Sequence, residues 1–305
     1  MARKTRRPLL SAGSPDLSRR LAEFERALAR AVRERAGGPG RLGQALRYAA
    51  LSPGKRLRPL LVLTTCEAVG GDWRRAMPAA VAVECVHAFS LVHDDLPAMD
   101  DDDYRRGRLT THRKFGEALG ILAGDALQAF AFEELSRLRD AGVPDARVVD
   151  AVRRLARAAG ADELVGGQAL DLAAEGRRVS AAAVRDIHVR KTGALMGACL
   201  AIGALAGDAD ARTADRLHEA GVQLGFAFQI TDDLLNAGST LATLGKRAGT
   251  DAARGKATYP VAVGEKRARA EVALRMRTVR ASIARTCERP ELLLHLIDAT
   301  AKRER

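Results

Sequence analysis

Apolar residues recur along this chain with the period of a helix and almost nowhere with the period of a strand. From Asp16 it reads DLSRRLAEFERALARAVRERAGG, in which Leu17, Leu21, Phe24 and Leu28 share one helix face and Gly37–Gly38 end the run. Similar segments are predicted at about 58–69, 78–95, 115–138, 145–174, 180–206, 209–236, 260–286 and 290–303, with Ser180 set to cap one of them. No β-branched alternating run bounded by hairpin turns accompanies them. No low-complexity linker or short fixed-period repeat divides the chain. The expectation is an all-α fold, a single domain over 1–305 with a basic N-terminal segment at 1–14.

Charge narrows the partners. Fifty Lys and Arg against 38 Asp and Glu give a net charge of +12, which suits an anionic partner. Aromatic residues are only 4%, leaving few platforms on which bases could stack, so no nucleic acid is expected. The longest uncharged apolar stretch, Thr192 to Gly207, is shorter than the roughly 20 residues of a membrane span and rich in small residues, so a packed core helix is expected instead. The basic start MARKTRRPLLSAGSPD carries no long apolar run and is not read as a secretory signal. Cys66, Cys85, Cys199 and Cys287 lie far apart without a CxxC pair and are read as reduced core thiols of a cytoplasmic protein.

The chemistry concentrates in HDDLPAMDDDDYRRG, His93 to Gly107, where six acidic side chains are followed by Arg105 and Arg106. Asp94 and Asp100 stand six apart, which on a straight helix points them to different sides. Pro97 lies between them, and a bulge or helix end there could bring them together. A second run, GVQLGFAFQITDD, echoes VECVHAFSLVHDD: both are apolar and end in paired aspartates, Asp232–Asp233 and Asp94–Asp95. Asp232 and Asn236 share a face, and Asp233 is offset by about 100°. Carboxylates gathered this way repel unless a cation sits among them, and hard oxygen ligands select Mg²⁺ or Ca²⁺. Arginine forks beside them suit the phosphate oxygens that a metal leaves uncovered. An EF-hand is excluded because its Gly and terminal Glu are missing from their offsets.

Basic motifs flank the acidic ones. SPGKRLRP offers Lys55, Arg56 and Arg58 just before a helix, and HVRKTGAL offers Arg190, Lys191 and Thr192. GKRAGTDAARGKATYP adds Lys246, Arg247, Arg254 and Lys256; it is not a P-loop, since five residues separate Gly249 from Gly255 and alanine follows Lys256. His87, two helical turns before Asp94, reads either as a core histidine or as a phosphate contact.

These residues together resemble the trans-isoprenyl diphosphate synthases of the polyprenyl synthetase family, most closely the bacterial farnesyl diphosphate synthases. The resemblance runs from about Leu42 to the C-terminus through GKRLRP, HAFSLVHDDLPAMDDDDYRRGRLTTH, ILAGDAL, GGQALDL, KTGAL, FQITDDLL and GKRAGTDAARGKATYP, in the family's order. It implies helices around a deep cavity, a homodimer and three Mg²⁺ ions. Asp94, Asp100 and Asp232 match metal ligands, with Asp95 and Asp233 as their catalytic neighbours. Lys55, Arg58, His87 and Arg106 match contacts to isopentenyl diphosphate. Arg105, Lys191 and Lys246 match contacts to the allylic diphosphate, and Lys256 joins the substrate-binding set. Thr192 and Gln229 match polar groups near the developing allylic cation. Asn236 departs from the family, whose second motif closes with aspartate.

The implied reaction is ionisation of an allylic diphosphate, attack by the double bond of isopentenyl diphosphate, and proton loss, with departed pyrophosphate as the base. Phe89 and Ser90, roughly 7.5 and 6 Å down the helix from Asp94, are the residues read as setting product length; ordinary helix packing is the alternative for Phe89. Farnesyl diphosphate is the expected product and a geranylgeranyl diphosphate synthase the alternative; further rivals are a terpene cyclase, whose usual second motif ends in glutamate where Thr240 stands here, and a non-catalytic basic helical protein. The last accounts for the charge but not for the paired acidic motifs.

Overall fold

The first helix, α1 (Pro15–Arg35), starts where Ser14 accepts a hydrogen bond from the Leu17 amide at 3.3 Å, and it buries the expected face of Leu17, Leu21, Phe24 and Leu28. The structure, a computed structural model, describes residues 14–36, 38, 40–237 and 257–301. After α1 come α2 (Arg41–Ala50), α3 (Leu57–Ala68) and α4 (Met77–Asp94), the last preceded by a 3₁₀ turn at Trp73–Ala76. Then follow α5 (Thr111–Phe115), α6 (Glu117–Ser136), α7 (Asp145–Ala159), α8 (Leu164–Ala174) and α9 (Ala181–His188). A π-helical stretch, Val189–Gly193, leads into α10 (Ala194–Ala206), then α11 (Ala211–Ala237), α12 (Tyr259–Val263), α13 (Glu265–Thr286) and α14 (Glu291–Ala301).

The all-α expectation holds, and α10 explains the architecture. Every residue from Ala194 to Ala206 is buried, so the helix must be wrapped on all sides. It packs against α11, α3 and α7. Its backbone nearly touches that of α11: a Cβ on Gly225 would lie 2.6 Å from Gly193 Cα, and one on Gly221 would lie 2.6 Å from the Met196 carbonyl oxygen. Small residues at these crossings press the π-helical stretch onto α11. One hydrophobic core runs from Leu17 to Ile297. The helices Trp73–Asp94 and Ala181–Ala206 are long and apolar enough to cross a membrane, yet 67% and 83% of their apolar windows are buried inside the fold. All four cysteines are buried and unpaired.

Some predicted helices are broken. The segment 145–174 divides into α7 and α8 at Gly160–Glu163, and 260–286 divides at Gly264, whose φ of 85° lies outside the helical region. The helix α2 has no counterpart in the sequence reading: its buried side is Gly43, Ala45, Leu46, Ala49 and Ala50, too weakly apolar to declare a periodicity. Among the described residues the only strands are Tyr104–Arg105 and Arg108–Leu109, an antiparallel pair closed by Arg106 and Gly107, both at positive φ.

Candidate active site

Helix α4 ends at Asp94, and the chain then doubles back on itself. The Asp100 amide donates to the Asp94 carbonyl at 2.7 Å, Asp101 to Leu96 at 3.0 Å and Asp102 to Asp95 at 3.2 Å. Asp100 thus lies beside Asp94 despite the sequence gap, through a helix end of the kind Pro97 suggested. Asp94 is buried. Gln168 of α8 donates from Nε2 to Asp94 Oδ1 at 2.8 Å, and Lys191 Nζ stands 3.6 Å from the same oxygen and 2.8 Å from Asp171 Oδ2. Burial pushes the Asp94 carboxyl up; Lys191 opposes this and Asp100 adds to it. For Lys191 burial works against the charged form, but Asp94 and Asp171 outweigh it and raise its pKa.

The second motif divides its labour. Asp233 is buried, with its carboxylate taken by protein groups: His188 Nε2 at 2.9 Å, the Tyr259 amide at 2.9 Å and Gln229 Nε2 at 3.5 Å. Thr192 Oγ1 donates to Gln229 Oε1 at 3.1 Å, which links the π-helical stretch to α11. Asp233 therefore ties α11 to α9 and α12. Asp232, half-buried, and Asn236, exposed, lie on a different face of α11.

Asp95 turns away from Asp94 into a second basin. Arg105 brings Nε and Nη2 each to 2.6 Å from Asp95 Oδ1. A pocket here is lined by Arg56, Glu84, His87, Asp95, Arg105 and Arg106, among others. Arg106 donates from Nη1 to the Pro53 carbonyl at 2.6 Å and lies so close to Gly54 that a Cβ there would come within 2.4 Å of Nη1. Lys55 is exposed and Arg58 half-buried at the start of α3. Burial holds His87 well below the usual histidine range, reinforced by Arg58, Arg106, Arg105 and Arg56. One turn beyond His87, Ser90 Oγ donates to the His87 carbonyl at 2.9 Å, and Phe89 is buried with its ring edge-on to His93 at 5.8 Å.

The structure thus gathers Asp94, Asp100 and Lys191 in one basin, and Asp95, Arg105, Arg106 and His87 in the other. Thr192, Gln229 and Asp233 form a third linked set. Lys246 and Lys256 lie outside the described residues. The sequence reading gave no role to Gln168, Asp171, His188 or Glu84. Gln168 and Asp171 sit three apart in GGQALDL on one helix face, and that spacing was the available signal.

Known proteins resemble this chain over most of its length. Residues 39–289 match the family described as Polyprenyl synthetase. The chain is 49% identical over 227 residues to a farnesyl diphosphate synthase of Escherichia coli (strain K12), covering 74% of this chain and 76% of that protein. To the farnesyl diphosphate synthase of Geobacillus stearothermophilus it is 44% identical over 236 residues, covering 77% and 79%. Among solved structures, a geranylgeranyl pyrophosphate synthetase from Pyrococcus horikoshii Ot3 superposes with a TM-score of 0.85 at 30% identity, covering 97% of this chain and 98% of that one. With the match spanning both acidic motifs and the intervening basic segments, the chain belongs to the polyprenyl synthetase family.

Proposed function

We propose that the protein joins isopentenyl diphosphate head-to-tail to an allylic diphosphate, dimethylallyl or geranyl, and yields a short-chain prenyl diphosphate, foremost farnesyl diphosphate. The observation that carries this is the end of α4, where two adjacent aspartates face two different basins. Asp94 faces an acidic one with Asp100 and Lys191, and Asp95 a cationic one with Arg105, Arg106 and His87. Two diphosphates bound side by side need this division. The allylic one sits at the acid basin, where its leaving group can be neutralised. The other is held by the cationic side chains of its basin together with His87.

The residues fit Mg²⁺. No three acidic, histidine or cysteine side chains among the described residues form a metal cage. Each acidic motif offers one or two carboxylates, the share Mg²⁺ takes from protein when water and phosphate oxygens complete its octahedron. Asp94 and Asp100 would hold it at the first motif and Asp232 at the second. Bound there, Mg²⁺ supplies positive charge to the departing diphosphate. Lys191, fixed by Asp171, adds a further cation on the same side. Thr192 and Gln229, joined by a hydrogen bond, would stand near the developing allylic cation, and the packed helices would exclude the water that quenches it. The proton lost from the new product goes to the released pyrophosphate.

Four buried thiols support a reducing, cytoplasmic setting. Ile121 and Leu122, each about half exposed on the apolar α6, support a second copy of the chain covering that face. Incubation with labelled isopentenyl diphosphate and each of dimethylallyl, geranyl and farnesyl diphosphate, followed by product sizing, tests the reaction. Farnesyl diphosphate should dominate; cyclised hydrocarbon or no product would overturn the reading. His87 in the pocket wall would serve as a hydrogen-bond donor to the diphosphate, so His87→Gln should hold the KM for isopentenyl diphosphate within about threefold, while His87→Ala raises it about tenfold.

A further inference from the structure

The cationic pocket contains two acids that a site for a polyanion would not be expected to keep, Asp95, which Arg105 takes, and Glu84. Glu84, on α4 one turn before His87, lines the pocket and is 4% exposed. Its partner is Arg56, whose Nη1 donates to Glu84 Oε1 at 2.6 Å. The same guanidinium reaches α1, with Nε at 2.8 Å from Glu25 Oε1 and Nη2 at 3.5 Å from Glu25 Oε2. Arg56 is itself buried, and its backbone is left-handed at φ 50°, ψ 38°, a conformation that disfavours any residue with a Cβ. It is also the residue from which α3 starts.

Arg56 stands between Lys55 and the first turn of α3 that carries Arg58, and two residues after Gly54, on which Arg106 rests. Two carboxylates absorb its charge, so it is not a further cation for phosphate. We propose that Arg56, clamped by Glu84 and Glu25, is a positioning residue for isopentenyl diphosphate. It pins the 52–56 loop in its left-handed turn so that Arg58 and Arg106 stand around His87, with Lys55 at the loop beside them. Glu84 serves as the anchor of this clamp, and its position on α4 keeps the loop in register with His87. This inference rests on the reaction proposed above.

The test measures KM for each substrate separately, together with thermal melting, in four variants. Arg56→Gly keeps the left-handed backbone at no steric cost and removes only the clamp. Glu84→Gln removes the anchor while leaving Arg56 in place. Each should raise KM for isopentenyl diphosphate about tenfold, the size of one charge-assisted hydrogen bond, with KM for the allylic diphosphate within about twofold. The double variant Arg56→Gly/Glu84→Gln should be no worse than the poorer single, because both remove one shared contact. Arg56→Lys, which keeps the charge but reaches only one carboxylate, should fall between, and it decides the matter if the other variants fail to fold. If Arg56 instead touched phosphate directly, Glu84→Gln would lower KM for isopentenyl diphosphate by removing a repulsive charge. That result, an equal rise in both KM values, or an unchanged KM in Arg56→Lys would overturn the inference. Failure of the wild-type enzyme to condense any allylic partner would instead overturn the reaction itself.

Discussion

Asp94→Asn should slow turnover by about 10²–10³-fold while the protein remains folded. Asparagine keeps the side chain's size and its oxygen acceptor for Gln168 Nε2, so the local hydrogen bond at 2.8 Å has a successor. The charge does not. Asp94 is a buried carboxylate drawn between Lys191 and Asp100, and its negative charge is what would hold a divalent cation against the leaving diphosphate. Without it, Lys191 retains Asp171 at 2.8 Å, so the scaffold stays and the loss falls on the transition state. Asp232→Ala should behave similarly, whereas Asn236→Asp should remain active, since it restores only a charge on an exposed position of the same face. A single-turnover rate for Asp94→Asn within threefold of wild type would remove Asp94 from the chemistry.

Phe89→Ala should lengthen the product. On the proposed reaction, growing chains would start beside Asp94 and extend away from the polar mouth, along α4 toward its buried middle. Phe89 lies about one and a half turns down that helix, buried, with its ring against His93. His93 Nε2 is in turn placed 3.1 Å from the Ile121 carbonyl of α6, so His93 links the Phe89 ring to α6. Removing it opens room for further isoprene units and shifts product from farnesyl to geranylgeranyl diphosphate or longer. The lost packing costs about 3–5 kcal/mol, so the assay belongs well below the variant's Tm. A folded, active Phe89→Ala enzyme with the wild-type product distribution would assign chain length to another residue.

Much of this was legible in the sequence because helix periodicity and charge clustering are local signals. Leu17, Leu21, Phe24 and Leu28 announce α1 by spacing alone, and the run from Thr192 to Gly207 announces a buried helix by its small residues. The convergence of Asp94 and Asp100 was legible only as a possibility. It depends on backbone hydrogen bonds beyond Pro97 that no spacing specifies. The two faces of the paired aspartates were not legible. Asp95 and Asp233 look like equals of Asp94 and Asp232, yet Arg105 takes one and His188 with the Tyr259 amide takes the other. Those partners come from distant segments. Arg56 likewise reads as one more phosphate cation in GKRLRP, and only the arrival of Glu84 and Glu25 from two other helices assigns its charge elsewhere.

The central claim is that the buried acid at the end of α4 acts through a divalent ion on an allylic diphosphate. Pyrophosphate release from geranyl diphosphate and isopentenyl diphosphate, followed in excess EDTA and then with Mg²⁺ added back, tests it most directly. Release should cease with chelator and return with Mg²⁺ in step with farnesyl diphosphate formation. Undiminished release and product in excess chelator would contradict it.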